Sequence, residues 1–217
     1  TRDLNGIRAA IAAVYAPLLD KAGKVAYPGQ PVGGENLAGG WSSWITGSDT
    51  ALMRSMHVPN SQAMYLSEWG KNVLFSDSTW DYSRYDASNY ERDSRLASTF
   101  MNADNPDLTK FAARNGKLLL WHGWADPALN PLGTIEYYEQ VRALHPKAAD
   151  YVRLTMLPGV LHCGGGEGPA QVAWLRAITD WVERAQAPER LIATKRDTTG
   201  KVVHTRPLCS YPQRAVY

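Results

Sequence analysis

Apolar positions recur at helical spacing near the start of the chain. In Leu4 to Leu19 the residues Leu4, Ile7, Ile11 and Val14-Tyr15 share one face, which predicts an amphipathic helix ahead of a basic loop and Pro28-Gly29. From Pro28 to about Asn105 the period degrades. Glycine pairs (Gly33-Gly34, Gly39-Gly40), tryptophans and polar stretches such as Ser76 to Arg84 predict short helices in a loop-rich subdomain. Regularity returns near Asn105-Pro106-Asp107-Leu108, with a short helix through Phe111 to Arg114 and then a strand that begins at Lys117. A domain boundary is placed there, dividing the chain into residues 1–105 and 106–217.

Two short apolar runs in the second part, Leu118-Leu119-Leu120-Trp121 and Leu154-Thr155-Met156-Leu157, each stop at a glycine or proline turn, as buried strands of a parallel sheet do. Between and after them, Pro131 to Leu144 carries Ile135, Tyr138, Val141 and Leu144 at helical spacing. Pro169 to Gln186 does the same with Val172, Trp174-Leu175, Ile178 and Trp181-Val182. Strand, helix, strand, helix predicts an α/β fold with a parallel sheet and right-handed crossovers. Asp126 and His162 fall just past the two strand ends. Chemistry in open α/β sheets sits in the crevice outside those carboxyl ends, so a carboxylate and an imidazole delivered there read as two of the three groups of a nucleophile–His–acid triad.

Composition narrows the classes. Charged residues are 20% and apolar ones 44% of the 217, outside the range of disordered chains. Lys+Arg number 23 against Asp+Glu 21 and no basic stripe appears, so no grip on nucleic acid or an anionic membrane is expected. The apolar runs are too short to span a bilayer, and no charged-then-apolar signal segment opens the chain. The start at Thr1-Arg2, without methionine, reads as a processed or truncated product. Eight Trp and eleven Tyr against three Phe describe either ordinary core and rim aromatics or a pocket for aromatic substrates. Cys163 and Cys209 could pair, stay free or bond to another chain, and do not by themselves fix the compartment.

Other chemically able residues read as structural. His122, beside the first strand end, is expected to hydrogen-bond the turn. His57, His145 and His204 show no metal-ligand spacing and are expected to be solvated or to cap. Gly164-Gly165-Gly166 lacks the lysine and serine of a phosphate loop and reads as a tight turn.

The stretches HGWADP (His122 to Pro127), TIEYYEQV (Thr134 to Val141), LPGVLHCGGGEGP (Leu157 to Pro169), YPG…GGE…GGW (Tyr27 to Trp41) and RPLCSYP (Arg206 to Pro212) resemble the tannase and feruloyl esterase family of α/β-hydrolases. The resemblance runs nearly the whole chain. It implies that Asp126 and His162 are the acid and base of a serine carboxylic-ester hydrolase, in the nucleophile, acid, histidine order of the α/β-hydrolase fold. It also implies that residues 1–105 are a segment of the inserted lid domain and 106–217 the C-terminal part of the parallel-sheet core. The substrate would be a small aromatic ester, and Trp41, Trp44 and Trp80 could stack on its acyl group or simply pack within the lid.

One element of the family is missing from these residues. Its nucleophile lies in a Gly-Cys-Ser-x-Gly-Gly elbow, and none of the serines here has a G-x-S-x-G setting. Cys209-Ser210 lacks the glycines and follows the histidine. The expectation is therefore a chain cut at both ends, whose partner is the N-terminal half of the same enzyme with its serine. Alone it should be nearly inert, since loss of a triad member costs on the order of 10^4 to 10^6 in turnover. The resemblance further implies a disulfide between Cys163 and the cysteine beside the nucleophile, a bond from Cys209 to a cysteine further on, and hence an exported protein, secreted or periplasmic. The family's calcium loop is expected upstream of Thr1, and no metal or cofactor is expected in this chain. The competing reading is a non-catalytic fragment that binds aromatic ligands or regulates.

Overall fold

The computed structural model describes residues 3–216. They form two compact units, the first ending at Ala103 and the second running from Asp104.

In the first unit, helix α1 spans Leu4–Tyr15. Asp3 caps it, accepting from the amides of Asn5 (3.2 Å) and Gly6 (3.0 Å). It stops earlier than its apolar period suggests, because Pro17 forces Ala16 into an extended conformation (ψ 144°). Leu18–Leu19 instead forms β1, paired antiparallel with β2, Val25–Tyr27. The apolar face of α1 is exposed at Leu4, Ile7 and Ile11, contrary to the burial that its pattern suggests. Short helices follow, as the broken pattern predicts: α2 (Trp41–Trp44), α3 (Ala51–Met56), α4 (Ser61–Trp69), continued by one π-helical turn to Leu74, and α5 (Tyr90–Met101). Aromatic pairs hold this unit together. Tyr15 packs on Trp41 at 5.4 Å, Trp44 stacks on Tyr65 at 5.9 Å, and Phe75, Trp80 and Tyr85 form a triangle of rings 5.4–5.9 Å apart.

The second unit begins with α6, Thr109–Ala112. Strands β3 (Leu118–Gly123) and β4 (Val152–Leu157) pair in parallel, residue for residue, from Leu118 opposite Val152 to Gly123 opposite Leu157. Every residue of β4 is buried, the signature of a strand covered on both faces. The crossover is α7, Pro131–Leu144, with Asn130 as N-cap and Pro131 in its first turn. It brings Tyr138 and Val141 onto Leu154 and Met156. Helix α8, Trp174–Arg184, starts later than its apolar period implies: Gln171 is still extended and bridges to Thr194.

An element that the apolar runs did not reveal closes the unit. Strands β5 (Arg190–Arg196) and β6 (Val202–Cys209) form an antiparallel hairpin, with Gly200 in the left-handed region (φ 86°) at its turn. Ala193 and Leu208 from its inner face pack with Leu157 and Val160 in a second core cluster. Ser210 bridges to Thr155, and the amide of Tyr211 donates to the Leu154 carbonyl at 2.7 Å, so the RPLCSYP stretch runs against β4. The fold is that of the late strands and helices of an α/β-hydrolase. Among the described residues, no helix is long and apolar enough to cross a membrane.

Candidate active site

The carboxyl ends of β3 and β4 lie side by side, and the chain leaves each through a turn that carries one of the two residues singled out from the sequence. Gly123 ends β3 because nothing larger fits: a Cβ there would sit 2.3 Å from the carbonyl oxygen of Val160 and 2.6 Å from that of Leu161. That approach lets the two turns share hydrogen bonds. The amide of Trp124 donates to Leu157 O (2.9 Å) and that of Ala125 to Val160 O (3.0 Å). The glycine-rich turn after β4 folds back on itself in the same way. Gly166 adopts φ 79° with its α-carbon against the Gly159 carbonyl, where a Cβ would approach to 2.3 Å.

Asp126 is 3% exposed, and its carboxylate is fully engaged. Oδ1 accepts from the amides of Ala128 (2.8 Å) and Leu129 (3.0 Å), an Asx turn that Pro127 favours. Oδ2 lies 2.9 Å from His162 Nδ1 and 3.0 Å from His122 Nε2. Burial by itself would push the carboxyl up. The hydrogen bonds from His122, His162 and the Leu129 and Ala128 amides outweigh it and hold Asp126 below the usual carboxylate range. The group is therefore an anion at neutral pH, and only an anion accepts four donors.

The structure thus brings Asp126 and His162 together, and adds a residue that the sequence reading assigned only to the turn. His122 does bind the turn, with Nε2 3.1 Å from Leu129 O. It also reaches the carboxylate oxygen that holds His162, and its Nδ1 lies 2.7 Å from the Thr134 hydroxyl in the first turns of α7. The signal available in the sequence was its position four residues before Asp126, on the penultimate residue of β3.

The His162 side chain is 40% exposed against 2% for that of Asp126. With Nδ1 committed to the carboxylate, proton transfer falls to Nε2. An imidazole so oriented can take a proton from a hydroxyl and return it to a leaving group, with the carboxylate stabilising the imidazolium. Cys163, adjacent, is exposed and in the left-handed region (φ 58°); it and Cys209 are both free thiols here. Ser210 is buried, its hydroxyl donating to the Pro188 carbonyl at 3.0 Å, which is the environment of a structural serine. Among the described residues no three His, Cys, Asp or Glu side chains gather as metal ligands do, so no residue is assigned to a cation.

Comparison with known proteins places this geometry in a family. The chain is 32% identical to an uncharacterized esterase of Xanthomonas campestris pv. campestris over 95% of its own length and 42% of the relative's. It is 42% identical to mono(2-hydroxyethyl) terephthalate hydrolase of Piscinibacter sakaiensis, over 53% of this chain and 19% of that protein. Among solved structures, feruloyl esterase B from Aspergillus oryzae superposes with a TM-score of 0.75 at 23% identity, covering 94% of this chain and 41% of that one. Tannin acyl hydrolase from Aspergillus niger does so with a TM-score of 0.70 at 21% identity, covering 100% and 41%. This chain therefore spans less than half the length of these relatives. The family model for tannase and feruloyl esterase matches residues 5–217, and the chain belongs to that family.

Proposed function

We propose that these residues are the C-terminal part of a carboxylic ester hydrolase, with Asp126 as the acid and His162 as the base of a Ser-His-Asp triad whose serine lies in another part of the protein. The observation that carries this reading is the 2.9 Å bond between His162 Nδ1 and a buried, anionic Asp126 at the ends of adjacent parallel strands. In the first half-reaction His162 Nε2 takes the serine proton as the oxygen attacks the ester carbonyl, and then gives it to the departing alcohol, leaving an acyl-enzyme. In the second it takes a proton from water, which attacks the acyl group. The acid leaves and the serine recovers its proton.

The substrate class in this reading is an ester of a phenolic or other aromatic acid, supported by the family and by what its named members are called. Residues 1–105 are assigned to the lid domain and 106–217 to the core. Export, to the periplasm or outside the cell, belongs to the same reading and rests on the cysteine pairing that family membership implies for Cys163 and Cys209.

Reconstitution tests it. The chain alone should not hydrolyse an aryl ester, and adding the serine-bearing part should restore turnover. Ligand binding without turnover in the reconstituted protein would instead support a non-catalytic, aromatic-binding role.

A further inference from the structure

Two imidazoles meet on one carboxylate oxygen. His162 Nδ1 and His122 Nε2 lie 2.9 and 3.0 Å from the same Oδ2 of Asp126, while Oδ1 is taken by two backbone amides. The partners of His122 require a proton on Nε2. Its Nε2 faces a carboxylate and, at 3.1 Å, the Leu129 carbonyl, both of which only accept, so Nε2 carries a proton. Its Nδ1 lies 2.7 Å from the Thr134 hydroxyl, which can accept from that nitrogen or donate to it. The ring, 14% exposed in its side chain, is thereby fixed at one end to α7 and at the other to Asp126.

We infer that His122 is a positioning residue for the Asp126–His162 pair, an inference that rests on the reading of those two as acid and base. An sp² oxygen offers two lone-pair directions. His122 occupies one, which leaves His162 a single direction along which its Nδ1–H meets Oδ2, and so fixes the line along which the catalytic imidazole approaches the acid. By sharing the negative charge of Oδ2, His122 also weakens the bond that His162 would make to that oxygen alone. The residue orients the acid and tempers its pull on the base without touching the reacting atoms.

The test is NMR on the protein labelled with 15N-histidine. In the unsubstituted protein, long-range correlations should show His122 with a proton on Nε2; a bare Nε2 would overturn the inference. In His122→Leu the His162 Nδ1–H resonance should move to lower field, as the remaining bond to Oδ2 shortens, and His122→Gln, whose amide reaches Oδ2, should bring it back. In the protein carrying its serine, His122→Leu should lower kcat roughly ten- to hundred-fold with KM little changed, and His122→Gln should recover most of it. An unmoved His162 resonance in His122→Leu would sink the positioning role. Asp126→Asn separates the two levels of the argument. If it abolishes the low-field His162 proton while His122→Leu does nothing, the acid–base pair stands and only the inference falls. If Asp126→Asn also leaves that proton unchanged, the pair itself falls.

Discussion

Gly123 and Val160 approach so closely that a single added carbon on Gly123 would lie 2.3 Å from the Val160 carbonyl oxygen. Through that approach the turn after β3 hydrogen-bonds the turn after β4, and Asp126 comes within 2.9 Å of His162. The obstacle is backbone, which has no rotamer to give way.

Gly123→Ala should therefore cost stability of about 1–3 kcal/mol, the usual range for forced overpacking. It should also move the two turns apart. Chemical denaturation checks the first, and loss of the low-field His162 Nδ1 proton at a pH where the variant is still folded checks the second.

Acid sensitivity follows from Asp126. Its folded-state carboxyl is held below the ordinary value, so the unfolded chain binds its proton first. The stability it contributes is present above the unfolded value, about 4, and is lost as pH falls through the lower folded value. Denaturation midpoints measured from pH 6 down to pH 3 should fall, and Asp126→Asn should flatten part of that fall.

Two tyrosines in the first unit should resist base. Tyr15 donates to Glu35 Oε1 at 2.6 Å, and this bond, with some desolvation and the carboxylate's charge, pushes its hydroxyl up to about 12. Tyr85 is pushed up to about 12 first by burial and then by its bond to Asp93. Folded-state pKa values above the unfolded one, about 10, mean stability that is present below pH 10 and lost as pH rises toward 12. Tyrosinate absorbance should show these two ionising last, and Glu35→Gln should bring Tyr15 forward.

The core under the site should be intolerant of truncation. Leu154 is fully buried in the cluster that β4 forms with Tyr138 and Val141 of α7. Leu154→Ala should destabilise by roughly 2–5 kcal/mol, read from urea denaturation midpoints, whereas Leu175→Ala, on an exposed position of α8, should stay within about 0.5 kcal/mol.

Much of this was legible in the residues because the relevant signals were local. The run around Leu154 belongs to a strand that is buried throughout, whereas the equally apolar run around Leu120 is only half-buried, with Trp121 exposed; Pro131 to Leu144 keeps its helical period from an Asn130 cap onward. The hairpin was missed because Arg190 to Arg196 (RLIATKR) and Val202 to Cys209 (VVHTRPLC) show neither a continuous apolar run nor a clean alternation, and Pro207 sits inside the second. The α1 face shows the limit of periodicity, which marks a face as apolar but not what covers it. At the site, residue types and strand ends pointed to Asp126 and His162. The second imidazole on Oδ2 also contacts Thr134 near the start of α7, and its spacing of four from Asp126 does not by itself show that both contacts form.

The most direct measurement is steady-state hydrolysis of an aryl ester by the protein with its serine-bearing part, comparing His162→Ala and Asp126→Asn with the unsubstituted enzyme. Each substitution should lower kcat on the order of 10^4-fold with little change in KM, as removal of a triad member does. Activity within tenfold of the unsubstituted enzyme for either variant would contradict the assignment of that residue.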